Sequence, residues 1–204
     1  MPSRLSLQRR SQGFSLIELL LVLGVVALLL VAAFVVYPQV TLAHKVNTEV
    51  QNLASVQAGL RAMYGTRSHN YRGLTVDVAR NAKVFPSRMV NGTDVTNTWG
   101  GSIVLGPSAN PYSGLAANRT YVIRYRNVPP AACVALVSQT AGYFVAIGVG
   151  TESKADGSYA KIVHVLTDAS SSGYNKGKNT GVQLDLLTTE CNSRDASEVM
   201  FISS

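Results

Sequence analysis

From residue 14 to residue 37 the chain is apolar except for Ser15 and one acid, Glu18. As a helix, these 24 residues would span about 36 Å, enough to cross a bilayer with some tilt. A carboxylate at bilayer depth costs about 2.5–3.5 kcal/mol on insertion scales. A chain keeps such a group only where a partner neutralises it. The nearest suitable cation is absent from the uncut chain. It is the α-amino group that cleavage after Gly13 would create on Phe14. This pairing would turn a membrane anchor into an assembly device.

Residues 1–13 hold Arg4, Arg9 and Arg10 and no acid. Three readings compete for this leader and the run that follows. A cleaved secretory signal needs an apolar core of about 7–15 residues, and this run is longer and carries Glu18 near its start. A plain signal anchor fits the length. The leader arginines would hold the N-terminus in the cytoplasm and send the body across, but Glu18 is then unexplained. In the third reading, Gly13-Phe14-Ser15-Leu16-Ile17-Glu18 resembles the prepilin motif of type IV pilins and pseudopilins, with Ser15 in place of the usual threonine. The resemblance implies that a membrane prepilin peptidase cuts between Gly13 and Phe14 and methylates the new amine of Phe14. Glu18 would then pair with Phe14 of a neighbouring subunit during assembly. Glycine before the cut suits a backbone lying extended in a protease cleft, because it has no Cβ.

The 204 residues carry a net charge of +7, of which the leader supplies three. No Lys/Arg run exceeds Arg9-Arg10, so the remaining cations read as a solvated surface and indicate no nucleic-acid partner. Cys133 and Cys191 lie 58 positions apart with no CxxC pair and no clustered His, a poor metal signature. If the body is exported, a disulfide between them is expected, stabilising by about 4 kcal/mol in the chain-entropy model. Two separate buried thiols are the alternative.

Beyond the run the helical pattern continues through Pro38, which predicts a kink rather than an end. Val46, Val50, Leu53, Leu60 and Tyr64 fall on one helical face with Val56 and Met63 beside them. Asn47, Glu49, Gln51, Asn52 and Arg61 are assigned to other positions, and Gly65 to the C-cap. A helix over residues 14–64 would be about 76 Å long, and no compact domain of this size contains it. Its first half calls for lipid, and later for copies of itself; its second half calls for a sheet.

Residues 65–98 predict a connecting region with a short helix around 74–82 and little sheet. Strands are expected at residues 102–105, 121–126, 143–149, 161–166 and 198–202. Helices are expected at 129–137, opened by proline, and at 183–191. One long helix followed by an antiparallel sheet is an α+β order. The expected parts are a leader (1–13), a transmembrane half-helix (14–37), an amphipathic half-helix (38–65) and a globular head (66–204) with a disulfide-bounded C-terminal region.

No catalytic constellation emerges. Trp99 beside Gly100-Gly101 reads as a buried anchor at a loop-to-strand corner. His44, His69 and His164 are scattered, with His164 expected on a strand. There is no nucleophile elbow, and Gly148-Val149-Gly150 reads as a turn rather than a phosphate loop. Asn91-Gly92-Thr93 and Asn118-Arg119-Thr120 match the glycosylation triplet by chance. The chain is expected not to be an enzyme, with no cofactor and no metal.

Asn97-Thr98-Trp99-Gly100-Gly101 before a strand, a mid-chain cysteine helix and a second cysteine before a terminal strand resemble type IVb pilins. The 13-residue leader is intermediate, and Phe14 as first mature residue is more a type IVa habit. The resemblance implies the type IV pilin fold, a long helix protruding from an antiparallel sheet head. It also implies a precursor in the inner membrane, N-terminus cytoplasmic and head periplasmic, handed to the pilus assembly machinery. The product would be an extracellular homopolymer serving adhesion, aggregation, motility or conjugation. A type II secretion pseudopilin or minor pilin shares the same N-terminus, and a single-pass periplasmic binding module needs no cleavage.

Overall fold

The computed structural model describes residues 15–68, 70–108, 118–150, 161–165, 181–193 and 197–203; side chains are not described at 35, 66–68 and 161–165. Helix α1 runs Leu16–Ser68 and is shared by two compact units, Met1–Thr41 and Leu42–Ser204.

In the first unit α1 opens where the Ser15 carbonyl accepts from the amides of Glu18 and Leu19 at 3.0 and 3.1 Å. Its apolar side chains are exposed in the isolated chain, Leu16 at 77 % and Phe34 at 78 %. The helix passes through Pro38 without ending. Proline removes one amide donor from the ladder, and the nearby Thr41 hydroxyl donates to the carbonyls of Tyr37 (3.2 Å) and Pro38 (2.9 Å).

In the second unit α1 buries Val46, Leu53, Val56 and Leu60, with Val50 and Tyr64 packed at the margin. Met63 is exposed, and Glu49, Asn52 and Gln57 are buried, which corrects the sequence assignment of this face. At Gly65 the helix breaks (φ 67°, ψ 168°), a left-handed backbone that glycine adopts without a Cβ penalty.

Six antiparallel strands form the sheet: β3 (Ile103–Pro107), β4 (Tyr121–Val128), β5 (Ala146–Gly150), β6 (Lys161–Val165), β7 (Gly181–Val182) and β8 (Ser197–Ser203). Their order is β3-β4-β8-β5-β6-β7, so the last strand sits between β4 and β5. Period-two alternation sorts the side chains. Tyr121, Ile123 and Tyr125 lie opposite Ser203, Phe201 and Val199, and all but Ser203 belong to the main apolar core with α1. Val122, Ala146, Met200 and Ile202 form a separate cluster on the alternate positions. Gly148 and Gly150 lie within β5, not in a turn.

Helix α3 (Pro130–Thr140) starts with Pro130 in its first turn, and α4 (Leu184–Asn192) follows β7. A disulfide joins α3 to α4 through Cys133 and Cys191, with Cα atoms 5.8 Å apart and both residues fully buried. A 3-10 turn at Ala141–Tyr143 extends the α3 segment, so β5 begins at Ala146 rather than at Tyr143. Between α2 (Val76–Asn81) and the sheet lies a hairpin that the sequence reading missed, β1 (Val90–Asn91) with β2 (Asp94–Val95). Gly92, at φ 62°, opens its two-residue turn.

Candidate assembly site

Gly13 and Phe14 lie outside the described residues. Glu18 is described, in the first turn of α1 and exposed, with Leu16, Ile17, Leu19 and Leu20 around it. The helix N-terminus favours a negative charge there by about 0.3–1 kcal/mol, too little to offset the cost of a carboxylate in hydrocarbon. No ion pair to Glu18 occurs among the described residues. The helix is long and apolar enough to cross a membrane. The site is therefore an exposed carboxylate at the start of an apolar helix.

In the second unit a different carboxylate is fully supplied with partners. Glu49 is buried, and its Oε1 accepts from the Thr98 amide at 2.6 Å. Its Oε2 accepts from Asn52 Nδ2 at 3.1 Å, and Asn52 Oδ1 accepts from Arg88 Nε at 2.5 Å. The Tyr125 phenol also faces this carboxylate. Its pKa lies well above the ordinary 10, first because of burial and then because of the nearby Glu49 charge.

The loop that brings Thr98 to Glu49 is fixed by Asn97. Asn97 Nδ2 donates to the Arg126 carbonyl at 2.8 Å, and its Oδ1 accepts from the amides of Trp99 and Gly101 at 3.0 and 2.9 Å. A Cβ at Gly101 would lie 1.7 Å from the Arg126 carbonyl oxygen, so this close approach admits only glycine. Trp99 is partly buried and packs on the core at this corner. Farther along α1, Gln57 Nε2 donates to the Tyr143 carbonyl (2.9 Å) and to Ser203 Oγ (2.8 Å), tying the helix to β8.

Sequence reasoning missed Glu49, Asn52 and Gln57 as buried groups. A signal for Glu49 was present: residues 46, 49, 53, 56 and 60 keep a three-four spacing, which places it in line with the apolar stripe. His44 is exposed on α1, His164 lies on β6 and His69 is outside the described residues. Among the described residues no cluster of His, Cys, Asp or Glu could hold a metal.

A family model described as PilS N terminal matches residues 43–204, and the prokaryotic N-terminal methylation motif matches residues 8–34. The major structural subunit of bundle-forming pilus from Escherichia coli O111:H- is 22% identical over 199 residues, covering 97% of this chain and 96% of that protein. The same-named protein of Escherichia coli O127:H6 aligns with equal identity and coverage. The crystal structure of TcpA, a type IV pilin from Vibrio cholerae El Tor biotype, superposes with a TM-score of 0.54. It is 16% identical and covers 79% of this chain and 99% of that one. The long helix and antiparallel sheet are thus a type IV pilin fold.

Proposed function

This chain belongs to the PilS N terminal family, and from that premise we propose that it is the structural subunit of a type IV pilus, most like the type IVb major pilins. It is made as an inner-membrane precursor with its leader in the cytoplasm and its head in the periplasm. Prepilin peptidase cuts after Gly13, and the Phe14 amine is methylated. The assembly machinery then packs the apolar halves of α1 together, with Glu18 of one subunit against Phe14 of the next. The disulfide between Cys133 and Cys191 holds the C-terminal region of the head through export.

One observation carries this reading: Glu18 is a lone acid, without an ion pair among the described residues, at the start of an exposed apolar helix of membrane-spanning length. Burial of that helix against its own copies replaces lipid contact with protein contact. Close packing and the charge pair then supply the bias, since apolar area alone gives little advantage over lipid tails. The relatives matched over nearly their whole length are named as major structural subunits, which favours the abundant filament subunit over a minor pilin or a pseudopilin.

N-terminal sequencing and mass measurement of the chain from sheared filaments test the reading. The expected product has 191 residues and begins with N-methyl-Phe14. A mature chain that still starts at Met1 removes it.

A further inference from the structure

Charge is distributed unevenly along the chain. Residues 38–126 carry ten Lys or Arg against three Asp or Glu, a net +7, whereas residues 127–204 carry five against seven, a net −2. The fold gathers part of the excess at one corner of the head. The Tyr71 amide donates to the Asn118 carbonyl at 2.8 Å, which sets Arg72 and Arg119 on adjoining backbone. Arg61 lies close enough to act electrostatically on the phenols of Tyr71 and Tyr121. Those rings form a row with Tyr64, tilted and then edge-on, at centroid distances of 5.0 and 4.8 Å. Arg61, Arg72 and Arg119 are all exposed, and none takes part in an ion pair among the described residues.

Across the disulfide-linked part of the head the balance is reversed. Asp185 is exposed in the first turn of α4 and has no ion pair among the described residues, and Glu190 lies on the same helix. We propose that the Arg61–Arg72–Arg119 corner of one subunit receives the acidic α4, through Asp185, of a second copy in the filament. The proposal rests on the filament-subunit reading and adds a head-to-head contact to it.

Three features support a second copy over another anion. Clustered guanidiniums repel one another unless an anion lies among them, and they meet carboxylates through two parallel hydrogen bonds. The complementary charge is present on the same chain, and in a filament copies are the most concentrated neighbours. The two patches also differ, so their contact is heterologous, the kind that leaves one free end after each addition and builds an open polymer.

The test uses the full chain in cells that assemble it, reading sheared filament protein relative to total chain. Arg72→Glu with Arg119→Glu opposes like charges and lowers filament yield by about tenfold, and adding Asp185→Arg restores about half or more of it. The melting of the unassembled head stays unchanged, because all three side chains are exposed. Full yield from the double reversal, or a loss that Asp185→Arg does not repair, overturns the contact while leaving the subunit reading intact. If the unaltered chain makes no filaments, the subunit reading itself falls.

Discussion

Glu18 and Glu49 lie on the same helix, each in line with apolar neighbours, and their surroundings are opposite. Glu49 is buried and accepts from the Thr98 amide and the Asn52 side chain, both of its own chain. Glu18 is exposed, with apolar residues around it and no charged partner among the described residues. One carboxylate is an internal strut; the other has no charged partner among the described residues. The apolar side chains divide the same way. Val46, Leu53, Val56 and Leu60 are covered by the head, whereas the described side chains from Leu16 to Tyr37 are exposed. The second half of the helix is thus completed by its own fold, and the proposed assembly would complete the first half with another molecule.

The largest effect expected from this contrast is in assembly. Glu18→Ala removes a group that the proposed pairing alone uses, so membrane insertion and head melting stay as they are and surface filaments are lost. Electron microscopy of sheared material beside a melting curve of the head reads both halves at once. Normal filaments from this variant would contradict the pairing of Glu18 with Phe14. Glu49→Leu inverts the pattern. It leaves the Thr98 amide and the Asn52 side-chain amide without their acceptor, and it destabilises the head by about 3–5 kcal/mol. Thermal unfolding that matches the unaltered chain would mean that Glu49 is not the strut its contacts describe.

The contrast was only half legible in the sequence. The apolar run and Glu18 stand out because membrane length and a lone charge are local properties of the chain. The strands around Tyr121 and Val199 were legible for the same reason, since alternation is a two-residue signal. The role of Glu49 was not, although its spacing from Val46 and Leu53 marked it, because its partner Thr98 lies far along the chain. The same holds for Gln57, whose acceptors are Tyr143 and Ser203. Topology was hidden too: nothing local in residues 197–203 says that they insert between β4 and β5. The hairpin at Val90–Val95 carried its signal in Asn91-Gly92, which the sequence reading noted only as a chance glycosylation triplet.

A smaller effect separates the halves by pH. Burial pushes the Tyr121 phenol up to about 12 and Tyr125 well above 10. A raised phenol pKa stabilises the fold fully below the unfolded value of 10. That stability is lost as pH rises, when the unfolded chain ionises first. Head stability therefore falls by about 3 kcal/mol between pH 10 and about 12 from Tyr121 alone. Tyr121→Phe flattens this part of the profile, measured as melting temperature against pH. An unchanged slope would show that the phenol is ionised equally in both states.

The smallest effects come from two helical glycines, and they separate the halves most cleanly. A Cβ at Gly59 would sit 3.0 Å from Val84 Cγ1, whereas one at Gly24 meets nothing within 4 Å. Alanine gains about 1 kcal/mol of helix propensity at either place. At Gly59 that gain is opposed by a crowding cost of about 1–3 kcal/mol in a packed core, so Gly59→Ala lowers head stability by about 1 kcal/mol. Gly24→Ala leaves the head melt untouched, since its surroundings lie outside the head. If Gly24 is where neighbouring helices approach each other, the added methyl lowers filament yield while every property of the single chain stays fixed. Equal filament yield from Gly24→Ala and the unaltered chain would place the close helix contact elsewhere along the apolar half.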